Sequence, residues 1–402
     1  MSPSGLPPAV LLGGNANAIS VARSLARRGV EVTAYGNQHG HIRFSRAVGD
    51  FVHVGRGPRI GDRWMRRLLE RRHGAVLLPC DDDALELIAT HRDELVDAGY
   101  RPFEADDAVV LAMLDKATTY ELAAAAGIPT PRVVRITDEA SIAKAIDEVG
   151  VPSALKPIHS HAFTRVYGGR KAFRVSTPAE LRRLARETRE HELEMLAIEV
   201  IPGDDDRLCS YYAYIDDEGR TLVELTKRKL RQYPSGFGLG SFEITDAAPD
   251  VAAAGAAFFA AVGVRGLANV EFKRDPRDET LRLIECNHRF TASNQLIEAA
   301  GIDLGWLAYA RVAGAPLPSL ATYRSGVTLW NPVRDLRGVL GRTGRGELSL
   351  ADWLPGLLRP HVLPVFRWDD PLPTVAYLAS RIAALPLKFG LDASASRATA
   401  RL

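Results

Sequence analysis

The residues best placed to do chemistry lie in segment 267–294, which reads LANVEFKRDPRDETLRLIECNHRFTASN. Two short apolar runs flank a turn-forming stretch with several acidic residues, which is typical of a β-hairpin with a longer loop. A turn centred near Asp278 places Glu271 directly opposite Glu285, and strand alternation puts Asn287 on the same face. Facing carboxylates repel each other unless a cation lies between them. Two carboxylates and an amide oxygen are hard ligands that suit Mg²⁺ bound together with a phosphate-bearing substrate, so the hairpin predicts such a site.

The residues around this acidic set bear on the same interpretation. Arg289 follows in an extended register as a fork for phosphate or carboxylate. The alternative is an edge hairpin with solvated acids, because exposed glutamate is common on strands. Against that alternative, Glu285 and Asn287 alternate with Ile284 and Cys286 on an otherwise apolar strand. Acidic residues on a half-buried strand need a partner.

Length and composition indicate an ordinary globular protein. The chain has 402 residues, of which 46% are hydrophobic and 25% charged, which is enough for two or three domains. The formal net charge is +2 and no basic block stands apart from acidic residues, so nothing favours a nucleic-acid partner. The N-terminus lacks the regions of a signal peptide, and the most apolar run, Val251 to Val264, is too short to span a bilayer. We therefore expect neither nucleic acid nor membrane as a partner.

The cysteines indicate the redox environment of the protein, and the lysines indicate where a functional region lies. The cysteines, Cys80, Cys209 and Cys286, are far apart and form no CxxC pair. This pattern argues against a zinc site or a disulfide framework and for reduced thiols in the cytoplasm. Seven of the eight lysines fall between Lys116 and Lys273. Because arginine cannot always replace an ammonium group, this concentration favours a functional region there.

The chain opens with the pattern of a doubly wound α/β sheet. A short apolar strand, Ala9 to Leu12, enters the glycine-containing turn 13–17, a helix follows from about Ala18 to Arg28, and a second strand spans Val30 to Tyr35. The turn is not GxGxxG and no acidic residue ends the second strand, so it indicates a dinucleotide site only weakly. A tight βα turn and a turn that contacts a substrate carboxylate are the alternatives. The acidic run 81–83 is expected to cap a helix.

Cations recur in the middle of the chain. Lys116 stands in the first turn of a helix that Asp115 caps, where a cation opposes the helix dipole and so favours an anionic ligand. Lys156 interrupts a short apolar strand before a proline, and the alternative there is a snorkelling edge lysine. Loop 159–169 is expected to close as a flap over phosphates. The basic run 227–231 indicates either a solvated edge or a polyphosphate cradle.

Taken in order, these segments resemble the ATP-grasp superfamily of carboxylate–amine ligases. The matching features are a Rossmann-like start, an Asp-Lys helix start, a Leu-Lys-Pro strand, a strand that leaves through Pro-Gly into acidic residues, and a final E…ExNxR hairpin, over about residues 8–315. Two runs are similar to the branch of predicted carboligases related to D-aspartate ligase, namely KRKLRQYPSGFGLGSFE and ECNHRFTASN.

The resemblance implies an α/β fold in three parts. A Rossmann-like pre-ATP-grasp domain would span residues 1–100. An ATP-grasp domain, residues 101–315, would consist of two α+β subdomains at about 115–192 and 193–315. A mainly helical C-terminal extension would cover residues 316–402.

The resemblance also implies roles for individual residues. The sequence departs from the family's pattern in two places, since the flap is less glycine-rich and His288 stands where proline often precedes the arginine. Both departures concern flap geometry and substrate detail. By matching position, the implied ligands of the ATP phosphates are Lys116 and Lys156, the implied backbone contacts of the adenine are at Glu199, Val200 and Ile201, and the implied ribose ligand is Asp206 (or Asp204). The implied magnesium ligands are Glu271, Glu285 and Asn287, and the residues near the γ-phosphate and the carboxylate substrate are Lys229, Arg231 and Arg289.

The activity implied by the resemblance is that of an ATP- and Mg²⁺-dependent ligase, with Mn²⁺ as an alternative metal. Phosphoryl transfer to a carboxylate, of an amino acid or small peptide, would give an acyl phosphate that an amine converts to an amide. Both substrates would be small molecules, and a homodimer is left open. The alternatives are an ATP-grasp kinase or carboxylase with the same nucleotide site, an NAD(P)-dependent oxidoreductase built on Gly13-Gly14, and a nucleotide-binding regulator without turnover.

Overall fold

The structure is a computed structural model that describes residues 5–383 except 38–39, 56, 58, 72–73, 159–162, 164–165, 169, 320–321, 344–350, 352, 354–355 and 357–359. Most of the flap expected at residues 159–169 thus lies outside the described residues. Among the helices of the described part, none is long and apolar enough to cross a membrane.

The N-terminal part folds around a parallel sheet with the strand order β3-β2-β1-β4-β5. In the central strand, Ala9 pairs with Val32 on one side and with Val76 on the other. Ala9 and Leu11 pack with one set of helices while Val10 and Leu12 pack with another, as expected for the continuous apolar strands of a parallel sheet covered on both faces. The doubly wound opening is therefore confirmed. Its elements are β1 (Ala9–Leu12), α1 (Ala16–Ala26), β2 (Val32–Gly36), a 3₁₀ turn (His41–Phe44), β3 (Asp50–His53), α2 (Ile60–Arg71), β4 (Val76–Pro79), α3 (Asp82–Thr90), α4 (Arg92–Asp97) and β5 (Arg101–Pro102).

The middle part is an antiparallel sheet with the strand order β6-β9-β7-β8. Lys156 lies in β7, opposite Leu196 of β9. Because β7 lies between β9 and β8, Lys156 is not on an edge strand as its alternative interpretation required. The elements are α5 (Asp107–Leu114), α6 (Lys116–Ala125), β6 (Val133–Ile136), α7 (Glu139–Lys144) with a π turn (Ala145–Val149), β7 (Ser153–Pro157), β8 (Phe173–Val175), α8 (Pro178–Glu190) and β9 (Met195–Glu199).

The third part is a sheet with the strand order β14-β13-β10-β11-β12-β15. One face packs on helix α9, where Gly255 permits close approach, since a Cβ at this position would lie 2.4 Å from the Tyr211 ring. The other face carries Tyr212 and Tyr214 into the core that contains β1 and α11. The third sheet therefore packs against the N-terminal part. Its elements are a 3₁₀ turn (Asp205–Arg207), β10 (Leu208–Ile215), β11 (Thr221–Tyr233), β12 (Leu239–Thr245), α9 (Pro249–Val262), β13 (Gly266–Arg274), β14 (Leu281–Asn287), α10 (Asn294–Ala299), α11 (Leu304–Ala313) and β15 (Thr328–Trp330).

The C-terminal part is helical, as expected, with α12 (Pro332–Thr343) and α13 (Leu372–Ala383). Strand β15, which we did not anticipate, pairs with β12 and makes this part continuous with the third sheet. Two buried carboxylates anchor it. Asp335 is bound by side chains of the third sheet, and Asp370 accepts hydrogen bonds from Arg23 and Ser45 of the N-terminal part. The overall α/β class agrees with the expectation from sequence.

Candidate active site

The hairpin of β13 and β14 has the register expected from the sequence. Glu271 lies directly opposite Glu285, and Asn287 lies opposite Asn269. The pairing shifts next to Glu271 and leaves Ile284 as the extra residue of a β-bulge, a feature over-represented next to active sites. The facing carboxylates are therefore confirmed as a pair, whereas their role as metal ligands stays a prediction.

Helix α6 is fastened to this hairpin and brings Lys116 beside it. The Tyr120 hydroxyl donates a hydrogen bond to the Ile284 carbonyl at 2.9 Å. The helix begins at Lys116 because the Asp115 carboxylate accepts hydrogen bonds from backbone N–H groups of the first turn. The Lys116 Nζ lies 3.4 Å from the Ile158 carbonyl, just after β7. The hairpin, α6 and β7 thus converge on one place.

Four lysines act electrostatically on Glu285, whose side chain lines a cleft. Desolvation alone would raise its pKa, but the positive charges of Lys156, Lys116, Lys171 and Lys229 outweigh this effect and hold the pKa at about 2. Four ammonium groups therefore surround a pair of glutamates. The positive charge exceeds the negative, which suits a polyanionic ligand.

The surroundings of Lys156 oppose its positive charge. Burial lowers its pKa, and Glu285 only partly opposes this while Lys116 adds repulsion. Its ammonium lies 5.7 Å from the Phe237 ring centroid, within reach of a cation–π interaction. A bound phosphate would stabilise the charged form of this lysine.

Strand β11 carries Lys229 and contributes a fifth lysine, Lys227, to the same face. Lys229 Nζ lies 2.7 Å from a Glu271 carboxylate oxygen, and Lys227 Nζ lies 3.3 Å from Glu243. The Ser293 hydroxyl donates to the other oxygen of Glu243 at 2.6 Å. Neither Lys227 nor Glu243 was assigned from the sequence. The alternation of Lys227 with Lys229 and the glutamate of the following strand would have indicated both.

The oxygen donors of the hairpin fit a cation that is shared with phosphates. Within the described ranges, no group of three or more histidine, cysteine, aspartate or glutamate side chains could hold a metal ion unaided. Glu271, Glu285 and Asn287 supply two carboxylates and an amide. Mg²⁺ ordinarily takes only one or two protein carboxylates and completes its shell with water and substrate phosphates. The donor set therefore suits Mg²⁺ that arrives with a nucleotide.

At the end of β9, the buried Glu199 carboxylate forms ion pairs with two half-exposed arginines. The Glu199 carboxylate accepts a hydrogen bond from Arg132 Nε at 3.1 Å and forms an ion pair with Arg277 at 2.8 Å. Burial would raise the Glu199 pKa, but the two arginines hold it below its usual value. The engaged Glu199 side chain is compatible with the backbone contact to adenine implied for Glu199, Val200 and Ile201, which stays a prediction.

The acidic run after this strand divides into two kinds of residue. Asp205 is buried and accepts hydrogen bonds from the Gln232 backbone at 3.1 Å and its side chain at 2.9 Å. Asp204 and Asp206 are exposed. Asp205 thus serves the fold, and the ribose contact implied for Asp206 (or Asp204) stays a prediction.

Arg231 is not joined to the glutamate pair by any contact that the described residues show. The β11–β12 register shifts between Lys229 and Arg231, and the Arg231 guanidinium lies 4.5 Å from the Phe242 ring centroid. Two of its nitrogens donate to Asp335, each at 2.8 Å. Its predicted role near the γ-phosphate stays a prediction, and the contact that the structure shows is structural.

A small cleft separates the hairpin from the N-terminal part. Asp82, Lys116, Glu285 and Asn287 are among its lining residues. Arg289 Nε donates to the Asp82 carboxylate across this boundary. Arg289 therefore contacts a residue that lines the cleft, and its predicted contact with a substrate carboxylate stays a prediction.

The glycine turn after β1 is closed by a carboxylate. The Gly14 N–H donates to Asp81 at 3.2 Å, and a Cβ on Gly13 would lie 1.9 Å from the same side chain. Both glycines have positive φ, which other residues rarely adopt. This is a tight βα turn, and its engaged Gly14 N–H gives the NAD(P) alternative no support.

The same carboxylate makes a pH-dependent contribution to stability. Burial raises the pKa of Asp81 to about 6 although the N–H groups of Ala84 and Gly14 oppose the shift. Since aspartate in the unfolded chain titrates near pH 4, this contribution is fully present below about pH 4 and is lost as pH rises through about 6.

Asp81→Asn keeps an acceptor for the helix cap but cannot ionise. As the pH rises from 4 to 8, we expect its free energy of unfolding to increase relative to that of the wild type by up to about 3 kcal/mol. Urea unfolding at several pH values would measure this difference. Asp93→Asn, an exposed first-turn position on α4, is the matched control and should follow the wild type. Parallel pH curves for Asp81→Asn and the wild type would contradict the assignment.

Comparison with known proteins adds a relative and a fold. No protein-family model matches the chain. D-Aspartate ligase of Enterococcus faecium (strain Aus0004) is 26% identical over 312 residues, which are 73% of this chain and 74% of that enzyme. The biotin carboxylase domain of Hydrogenobacter thermophilus 2-oxoglutarate carboxylase, a dimer in complex with MgADP, ADP and bicarbonate, superposes with a TM-score of 0.63 at 18% identity, covering 80% of this chain and 73% of that one. L-Amino acid ligase from Bacillus licheniformis superposes with a TM-score of 0.60 at 17% identity, covering 80% and 79%.

The sequence relative and the shared fold agree with the order of motifs along the chain. The structural likenesses are too distant in sequence to show more than the fold, while the relative extends over most of both chains. The resemblance to the ATP-grasp carboxylate–amine ligases that the motifs indicated is thereby confirmed, since the chain is similar to D-aspartate ligase over most of both sequences and shares its fold with L-amino acid ligase and biotin carboxylase.

Proposed function

We propose that the protein uses ATP and Mg²⁺ to join the carboxylate of an amino acid or small peptide to an amine through an acyl phosphate. The observation that carries this proposal is the group of four lysines around the facing pair Glu271 and Glu285. Such a site has an excess of positive charge for phosphates and hard oxygen donors for the accompanying cation.

The chain's residues would act mainly by binding and by electrostatics. Lys116 and Lys156 would hold the nucleotide phosphates. Mg²⁺, held by the hairpin donors, would neutralise charge on the phosphoryl oxygens. Lys229 is placed to follow the transferred group, because its partner Glu271 is one of those donors. Arg289 would orient the attacking carboxylate.

The two steps balance without a nucleophile from the protein. A carboxylate oxygen attacks the γ-phosphorus, the bond to the β,γ-bridging oxygen breaks, and ADP leaves. The amine then attacks the acyl carbon, inorganic phosphate leaves with the bonding electrons, and the amine loses a proton. A free carboxylate would have to expel oxide, which is a far poorer leaving group. The buried thiols fit this scheme, since burial raises the pKa of Cys286, next to Glu285, and keeps the thiol neutral.

Further expectations belong to the same proposal. Mn²⁺ should replace Mg²⁺ because it also prefers oxygen ligands. A homodimer is supported by the dimer formed by the biotin carboxylase domain of the same fold. The cytoplasmic location expected from the cysteines stays a prediction, and the free, buried state of all three is compatible with it.

The proposal is tested by following ADP release and product mass with purified protein, ATP and Mg²⁺. D- and L-aspartate are the first carboxylates to try, because the sequence relative is a D-aspartate ligase. A panel of amino acids and small peptides supplies the amines. We expect ADP formation that requires both substrates and a product heavier by the sum of the two minus water.

Omission controls separate the alternatives. ADP release with a carboxylate but no amine would indicate a kinase, and release driven by bicarbonate would indicate a carboxylase. Stronger thermal stabilisation by NAD(P) than by ATP would contradict the nucleotide assignment itself.

A further inference from the structure

Arg289 has a counter-ion that belongs to another part of the protein. Its Nε donates to the carboxylate of Asp82, which lies 207 residues earlier at the start of α3. Nη1 lies 3.5 Å from the Phe290 carbonyl. The Arg289 side chain is 19% exposed, whereas that of Asp82 is 61% exposed. A mostly buried arginine is therefore held by a mostly solvated carboxylate.

The arginine stays charged in this position. Burial alone would lower its pKa, but Asp82 and Glu285 outweigh this effect and raise the pKa. Asp82 also lines the cleft that contains Glu285, Asn287 and Lys116. A carboxylate that approaches from this cleft and binds the Nε of Arg289 competes with Asp82 for the same donor.

Exchanging Asp82 for another carboxylate costs little. The released Asp82 is solvated, because its side chain is 61% exposed, and the incoming carboxylate supplies the counter-ion that the mostly buried Arg289 requires. Asp82 is in the first turn of α3, where the helix dipole stabilises a carboxylate whether or not an arginine is bound. The cap itself is made by Asp81, which accepts from the Ala84 N–H, so the helix start does not depend on the ion pair. Asp82 can therefore turn into water without loss of the helix.

We propose that Asp82 is a specificity-determining residue that occupies the substrate-carboxylate position on Arg289 until a better carboxylate displaces it. The proposal rests on the proposed function, in which Arg289 binds the carboxylate substrate. In the free protein Asp82 neutralises Arg289 and excludes weakly bound anions. A ligand that offers a second contact deeper in the cleft outcompetes it, since bidentate or chelating anions bind arginine more strongly than a single exposed carboxylate does.

The test uses the full chain and succinate, a dicarboxylate without an amine, as the binding probe. Isothermal titration in a buffer free of phosphate and carboxylates would give the dissociation constant. We expect Asp82→Asn, which removes the competitor, to lower the dissociation constant three- to tenfold. Asp83→Asn, which removes a charge from the next residue of the same helix, should change it less than twofold. In the Arg289→Met background, Asp82→Asn should have no effect on succinate binding.

Kinetics provides the second readout. With a carboxylate and amine pair that supports ADP release, Asp82→Asn should lower KM for the carboxylate three- to tenfold and leave KM for ATP within twofold of the wild type. A general structural defect would instead change both constants or kcat.

The remaining outcomes test the role of Asp82 and the proposed ligase function separately. Unchanged succinate binding in Asp82→Asn would overturn the proposal that Asp82 competes for Arg289. Weaker binding would overturn it as well, because Asp82 would then help to hold the ligand. Failure of the wild type and Asp82→Asn alike to bind succinate would remove Arg289 as the carboxylate anchor and the proposal with it. If no substrate pair gives ADP release but succinate binds Asp82→Asn more tightly than the wild type, the ligase function is contradicted. The competition of Asp82 for Arg289 would still be supported.

Discussion

Glu285→Gln should reduce ADP formation by at least about 10²- to 10³-fold while the fold is retained, and Lys156→Met should do the same. Glutamine keeps the size of Glu285 but removes the charge that the surrounding lysines and the cation require. Methionine keeps the apolar stem of Lys156 but removes the ammonium from the phosphates. Steady-state ADP release at saturating ATP measures the loss, and circular dichroism checks the fold.

An exposed pair in the middle part supplies matched controls. Lys144 and Glu148 form an i,i+4 ion pair at 3.9 Å with side chains 60% and 57% exposed. Lys144→Met and Glu148→Gln make the same chemical changes at exposed positions. Both variants should keep activity within about twofold, since exposed ion pairs contribute little to stability. Full activity in Glu285→Gln or in Lys156→Met would show that the nucleotide site has been misplaced.

Asp335→Ala should destabilise the protein by about 3–5 kcal/mol, because it leaves the Arg231 guanidinium without a counter-ion in a largely buried position. The Asp335 carboxylate is 1% exposed and accepts hydrogen bonds from Arg231, Ser241, Trp330 and Trp353. Urea unfolding followed by tryptophan fluorescence measures the change, since two of these donors are indoles. The emission of the folded variant should shift as well.

A second variant distinguishes a lost ion pair from a general defect. Asp335→Leu combined with Arg231→Met removes both charges and should recover much of the stability. Asp369→Ala, which breaks an exposed pair with Arg367, is the control and should cost less than about 0.5 kcal/mol. The double variant also tests Arg231 as a catalytic group, because ADP formation at the wild-type rate would leave Arg231 only its structural contact.

The local patterns of the hairpin were sufficient to predict its register. Alternation along β14 and the loop length fixed Glu271 opposite Glu285, because both depend only on residues close in the chain. The Asp115 cap and the position of Lys156 in a short strand were predicted on the same basis.

What could not be predicted depends on contacts between distant segments. The register shift after Lys229 redirects Arg231, and its partner Asp335 lies 104 residues away. Likewise the Asp82–Arg289 pair joins segments that no periodicity relates. Lys171 followed the flap and carried no local pattern, yet its charge acts on Glu285.

The contacts of Glu199 determine how the middle and third sheets are joined. Its carboxylate binds Arg132, just before β6, and Arg277, in the loop between β13 and β14, so this side chain links the middle and third sheets. The same two sheets also share an apolar core that contains Ile198 and Phe272. Farther along, the charge of Lys156 in the middle sheet acts on Glu285 in the third sheet. A motion that parts the two sheets near Glu199 would have to break both of its ion pairs and expose the apolar side chains that the sheets share. We therefore expect the sheets to stay joined at this end while ligands enter and leave beside Lys156.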